Sequence, residues 1–170
     1  FFTGIIPGVG GFGGVASGPR PLIDLHTRII NVIGSRAGEM LDSRAITDIV
    51  NLIGTCVVSG NVRRSAIIIL GDPWDKEYLK AKRWDLGNIP TQRAMANFSV
   101  VVDDVEDLHP LFWKTYEQGE PYGLVNRKNI QKYARMGDLK PDTAVGVNPC
   151  AEATLEDGEL AYSFTSNTMF

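Results

Sequence analysis

Three side chains with complementary chemistry stand at alternating positions near the end of the chain: Asn148, Cys150 and Glu152, within VNPCAEATLEDGE (147–159). An extended backbone would turn all three to one face, with neighbouring side chains roughly 7 Å apart. There the amide can hydrogen-bond a hydroxyl, and the carboxylate can take a proton from one. The thiol between them is open to ionic or to radical chemistry. A carboxylate beside a thiol disfavours the thiolate, which argues against an ionised nucleophile. His26 and His109 are distant in sequence and read as surface or cap residues. Hydrolysis by a cysteine nucleophile is therefore poorly supported. A buried structural cysteine beside a turn is the alternative that spacing alone leaves open.

Other residues could bind rather than react. Arg63 and Arg64 precede a strand, and guanidinium forks suit phosphate. Adjacent residues there point apart, so at most one reaches a ligand, and Arg63 is the candidate. The glycine-rich start, FFTGIIPGVGGFGGVASGPRP, contains a formal G-x-G-x-x-G at Gly8, Gly10 and Gly13. A dinucleotide-binding turn needs a strand before that pattern and a helix opening from it. Pro19 and Pro21 block an immediate helix, so the stretch is expected to be a flexible loop whose backbone approaches a ligand closely. Ser17 and Gly18, at its end, are the expected substrate contacts. Cys56 reads as a buried structural residue at the end of a helix. No residues are expected to hold a metal.

The elements that must position these residues follow from composition and periodicity. With 170 residues the chain can bury a core, and its net charge of −3 gives no reason to expect a nucleic-acid or membrane surface. No apolar run approaches the roughly 18 residues that span a bilayer. Two cysteines make no disulfide scaffold, so a reducing, cytoplasmic setting is the default. The start at Phe1 and the ending TSNTMF read as a single segment, 1–170, cut from a larger domain.

From Pro21 the pattern is helical, with Leu22, Leu25, Ile29, Val32 and Ile33 on one face. A second helix, capped by Asp42 or Ser43, carries Ile46, Ile49, Val50 and Ile53 as its buried stripe. SAIIIL (65–70) reads as a strand buried on both faces. WDKEYLKAKRW then reads as a solvated helix, NFSVVVD (97–103) as a strand, and EDLHPLFWKTYEQG as mostly helix. PYGLVN (121–126) is a third strand and RKNIQKYAR a polar helix. Lys82, Arg83, Arg127 and Lys128 are expected at the solvated surface, and Trp74, Trp84 and Trp113 in packing or at helix edges. Strands alternating with helices predict an α/β fold with a parallel sheet.

Six stretches carry a family resemblance: GFGGVASGPRPL (11–22), NLIGTCVVSGNVRRSA (51–66), LGD (70–72), AKRWDLGNIP (81–90), GEPYGLVN (119–126) and VNPCAEATLEDGE (147–159). In order and spacing they resemble the adenosylcobalamin-dependent (class II) ribonucleotide reductases, from about Gly11 to Glu159. The resemblance implies a partial ten-stranded α/β barrel, with a radical cysteine on a loop threaded through its centre. It implies that Cys150 is the thiyl position that abstracts the 3′-hydrogen of a ribonucleotide. Glu152 would then take the proton of the 3′-hydroxyl, and Asn148 would position the sugar hydroxyls. It also implies adenosylcobalamin as cofactor, a thioredoxin-like or other dithiol reductant, and the remainder of the reductase chain as partner.

The chain departs from the family in several places. A reducing cysteine is expected about a dozen residues after Cys150, in a stretch resembling GEPCNL. GELAYS stands there, with Ala161 at the thiol position. Ile67 stands where an acidic residue is frequent, Asn97 and Phe98 stand for paired asparagines, and the basic residues expected before the glycine cluster are missing. The tail after Glu159 no longer resembles the family. A catalytically inactive, reductase-derived module that binds nucleotide is therefore the alternative, as is a truncated product without function.

Overall fold

The computed structural model describes residues 3–9, 12–61, 65–87, 89–118, 122–133, 139 and 142–159. Arg63, Arg64 and Ala161 lie outside them. The fold is mixed α/β. Strands β3 (Ile67–Gly71), β4 (Ala96–Val102) and β5 (Gly123–Asn126) form a parallel sheet in that order. Helices α3 (Lys76–Lys80) and α4 (Pro110–Glu117) lie in the crossovers between them. Parallel neighbours cannot be joined by a tight turn, and the helical crossovers meet that need. The predicted parallel α/β arrangement is what forms.

Alternation along β4 gives the sheet two unlike faces. Ala96, Phe98, Val100 and Val102 are all buried and pack with Tyr78, Leu79, Ala81, Leu108, Phe112 and Tyr122. Asn97, Ser99 and Val101 point to the other face. Register puts Ile68 and Leu70 of β3, and Gly123 and Val125 of β5, on that same second face. Strand β3 is half-buried throughout, which corrects the expectation of burial on both faces.

The segment WDKEYLKAKRW is solvated only in part: Trp74, Lys76 and Glu77 are exposed, but its centre is buried. Tyr78, Leu79 and Ala81 are at most 1% exposed. The Tyr78 hydroxyl reaches the carbonyls of Ile69 (2.7 Å) and Ser99 (2.8 Å), and Tyr122 donates to the Tyr78 carbonyl at 2.7 Å. Burial pushes both phenols well above their usual range, so they remain protonated donors. Arg83 is buried against Asp85. Lys82 lies over the Phe98 ring and donates to the Ala96 carbonyl. The charged tips in this stretch disguise an apolar anchor, since long side chains bury their stems and place their heads at partners. Arg127 and Lys128, at the start of α5 (Arg127–Tyr133), are exposed as expected, and they pair with Asp103 and Asp104.

Helices α1 (Arg20–Gly34) and α2 (Ser43–Val58) pack on each other. Asp42 caps α2 as predicted, its Oδ1 accepting from the Ala45 amide at 2.7 Å. The buried stripe is not the predicted one. Ala45, Thr47, Asn51, Leu52 and Gly54 face inward, while Ile46 and Ile53 are exposed. Gly54 lies on the inward face, where a Cβ would stand 2.6 Å from Ile67 Cδ1, so the glycine lets the helix meet β3 closely. On α1, Leu22 and Ile33 are likewise exposed, and Leu25, Ile29 and Val32 are half-buried.

The glycine-rich start is not a loop. Strands β1 (Thr3–Val9) and β2 (Phe12–Ser17) pair antiparallel, from Thr3 opposite Ser17 to Val9 opposite Phe12. The register shifts between Ile6 and Val9, where Pro7 has no amide hydrogen to give the ladder. Glycines weaken a strand without forbidding it, and here the pairing prevails. Among the described residues no helix is long and apolar enough to cross a membrane.

Candidate active site

Asn148, Cys150 and Glu152 do not lie on an extended strand. The short strands β6 (Gly146–Val147) and β7 (Thr154–Leu155) pair antiparallel, and residues 148–153 form the turn between them. The Ala151 amide donates to the Asn148 carbonyl at 2.8 Å, and Ala151 sits at φ 63°, in the left-handed region. The Asn148 amide donates to the Ala153 carbonyl at 3.0 Å and closes the loop. The same-face arrangement expected of an extended VNPCAEA is therefore corrected to a tight turn. Pro149 and the hydrogen-bonding asparagine before it favour the turn over continued extension.

Asn148 organises this turn with its side chain. Its Oδ1 accepts from the amides of both Glu152 and Ala153, each at 3.0 Å. The acceptor end is thus committed to the backbone, and the NH2 end is the part of the side chain that can donate. Cys150 and Glu152 are both exposed, so Cys150 is not a buried structural cysteine.

The hairpin lies on the second face of the sheet. Gly146 stands over Leu70 of β3, where a Cβ would be 2.9 Å from Leu70 Cδ1. At the other end of β6, the Asn97 side chain of β4 donates to the Pro149 carbonyl at 3.3 Å. The hairpin therefore runs back across the sheet and carries the Cys150 turn over β4. An open hollow lined by Leu70, Asp72, Val101, Arg127 and Val145 marks the carboxyl end of the strands. Ligands bind at such ends in open α/β sheets. The Arg127 guanidinium holds the Asp103 carboxyl below its usual range there, chiefly by hydrogen bonding at 2.7 and 2.8 Å.

The other expected binding residues sit elsewhere. Ser17 ends β2, and its hydroxyl lies 3.0 Å from that of Ser59, just after α2. Gly18 turns the chain into α1 with φ 67°, a conformation that favours glycine. Arg63 lies outside the described residues. Among the described residues no hydrogen bond links Ser17 or Gly18 to the Cys150 turn. Cys56 is half-buried in α2 and lines a groove with Leu25, Arg28, Thr55 and Ser59. His109 caps α4, its Nδ1 accepting from the Leu111 amide at 3.0 Å, and His26 is exposed.

Asn97 enters the sequence reading only as a departure from the family's paired asparagines, and Ser99 does not enter it. Their signal was two polar residues alternating in an otherwise apolar strand, which mark one face as different from the other.

No family model and no solved structure matches the chain. Among curated proteins, the adenosylcobalamin-dependent ribonucleoside-triphosphate reductase of Lactobacillus acidophilus is 41% identical over 154 residues, covering 88% of this chain and 20% of that protein. The protein of the same name from Euglena gracilis is 37% identical over 153 residues, covering 88% of this chain and 21% of its own length. That of Lacticaseibacillus paracasei is 39% identical over 155 residues, again 88% of this chain and 20% of the relative. The chain thus spans about a fifth of the length of the curated relatives it matches. It is homologous to one segment of the adenosylcobalamin-dependent ribonucleoside-triphosphate reductases.

Proposed function

We propose that this chain is the part of a ribonucleotide reductase that carries the radical cysteine, and that the whole converts ribonucleotides to deoxyribonucleotides. The observation that carries this reading is the turn itself. It exposes the Cys150 thiol at its tip and uses Asn148 to fix the backbone on which Glu152 follows. Cys150, as a thiyl radical, takes the 3′-hydrogen of the ribose as a hydrogen atom. Glu152 accepts the proton of the 3′-hydroxyl, and the Asn148 NH2 donates to a sugar hydroxyl. Adenosylcobalamin, when bound, supplies the oxidising equivalent that makes the thiyl. An exposed thiol fits a group that must reach it from outside the turn. Ser17, Gly18 and Arg63 are proposed to bind the substrate away from the reacting carbon.

The three parallel strands are, on this reading, part of a ten-stranded α/β barrel that belongs to the rest of the polypeptide. The hairpin then lies on the barrel's inner face, and residues 1–170 are one segment of that domain. Each turnover consumes two electrons, which a thioredoxin-like or other dithiol reductant provides through a cysteine pair. Ala161 occupies one expected position of that pair. It favours a second reading, a reductase-derived module that binds nucleotide without reducing it.

Reduction of ribonucleotides by the intact protein, with adenosylcobalamin and a strong dithiol, separates the two. The first reading predicts turnover that Cys150→Ala abolishes. Nucleotide binding with no reduction under any dithiol would establish the second.

A further inference from the structure

Beneath the Cys150 turn, three residues on two strands form a chain of contacts that ends on the backbone next to the thiol. Gly123 of β5 lies opposite Ser99 of β4. A Cβ at position 123 would stand 2.2 Å from Ser99 Oγ, so only glycine leaves that hydroxyl its place. Ser99 Oγ donates to Asn97 Oδ1 at 3.1 Å. With its oxygen held, the Asn97 amide has its NH2 directed at the hairpin, where it donates to the Pro149 carbonyl at 3.3 Å. Pro149 immediately precedes Cys150. Polar side chains on a sheet face that is otherwise Ile68, Leu70, Val101 and Val125 contribute little to packing and need another reason.

We propose that Asn97 is a positioning residue that sets the position of the Cys150 turn above the sheet, with Ser99 and Gly123 orienting its amide. The assignment rests on the reading of Cys150 as the reacting thiol. Hairpins of two-residue strands have few bonds of their own, so one added bond at the turn governs where the tip stands. Asn97 is exposed, so its replacement does not endanger the core.

The test compares Asn97→Asp and Asn97→Ala with Cys150→Ala in the intact protein, by steady-state reduction and by hydrogen exchange of the turn. Asp keeps the acceptor for Ser99 and removes the donor to Pro149. The expected result is a loss of about 100-fold in kcat with KM unchanged. Faster exchange at the Glu152 and Ala153 amides is expected alongside it, in both Asn97 variants. Unchanged kcat overturns the proposal. So does a fall in kcat without faster exchange, because Asn97 would then act by another route. If Cys150→Ala retains full activity, the reading of Cys150 has failed, and exchange alone decides the positioning role: faster exchange supports it and unchanged exchange overturns it.

Discussion

Asn148 uses the two ends of one amide for different purposes, and two substitutions separate them. Asn148→Ala removes both bonds to the turn amides and is expected to lower stability by about 1–2 kcal/mol, measured by denaturant unfolding. Asn148→Asp keeps the acceptor oxygens, so it should preserve stability while turnover falls, because the NH2 donor is gone. Asn148, Cys150 and Glu152 were legible in the sequence as candidates only, since few residue types could do the chemistry proposed for them. Their arrangement was not, because alternation fits an extended strand while the asparagine–proline pair favours a turn. Asp42 gives a prediction in pH. The Ala45 amide, and then Arg36, hold its carboxyl below the usual value. Its stabilising effect is present above the unfolded value near 3.9 and is lost as pH falls through the lower folded value. Asp42→Asn should therefore flatten the acid limb of the unfolding curve. An acid limb of unchanged steepness would show that the cap contributes nothing through its charge.

At the scale of elements, the parallel sheet was legible because β-branched runs alternate with helical patterns, and that signal does not depend on distant contacts. The burial of α3 was not, because charged residues surround Tyr78 and Leu79 and the period is too short to read in a five-residue helix. Gly71 tests how closely that helix meets the sheet. A Cβ there would stand 2.2 Å from the Tyr78 ring, which is buried and whose hydroxyl is held between two carbonyls. Gly71→Ala should cost about 1–3 kcal/mol or more by overpacking, read as a lowered denaturation midpoint. Arg93 ties the sheet layer to α2. Its guanidinium pairs with both oxygens of Asp48 at 2.6 and 2.7 Å and donates to the Ala81 carbonyl at 2.9 Å. Arg93→Ala leaves a mostly buried carboxylate without its partner, with an expected loss of about 3–5 kcal/mol in thermal or chemical unfolding. The inward face of α2 escaped the sequence because apolar periodicity favoured Ile46 and Ile53. The structure instead buries Thr47 and Asn51, beside a glycine that permits close approach.

Over the whole molecule, each helix of the pair leaves apolar side chains exposed at helical spacing. Ile23, Ile30 and Ile33 of α1, with Ile46, Ile53 and Val57 of α2, are all exposed, Ile30 to 69%. Apolar residues grouped in this way mark a surface meant to be covered. The 170-residue chain produced alone should therefore self-associate, and Ile30→Glu with Ile53→Lys should reduce that association in sedimentation. A monodisperse monomer before substitution would contradict the expectation. The proposed chemistry depends on one thiol, and both cysteines of the chain are free, so the two can be compared. The most direct measurement is ribonucleotide reduction by the intact protein bearing Cys150→Ser or Cys56→Ser, with adenosylcobalamin and a dithiol reductant. The expected outcome is no turnover for Cys150→Ser and near-normal turnover for Cys56→Ser. Undiminished reduction by Cys150→Ser would contradict it.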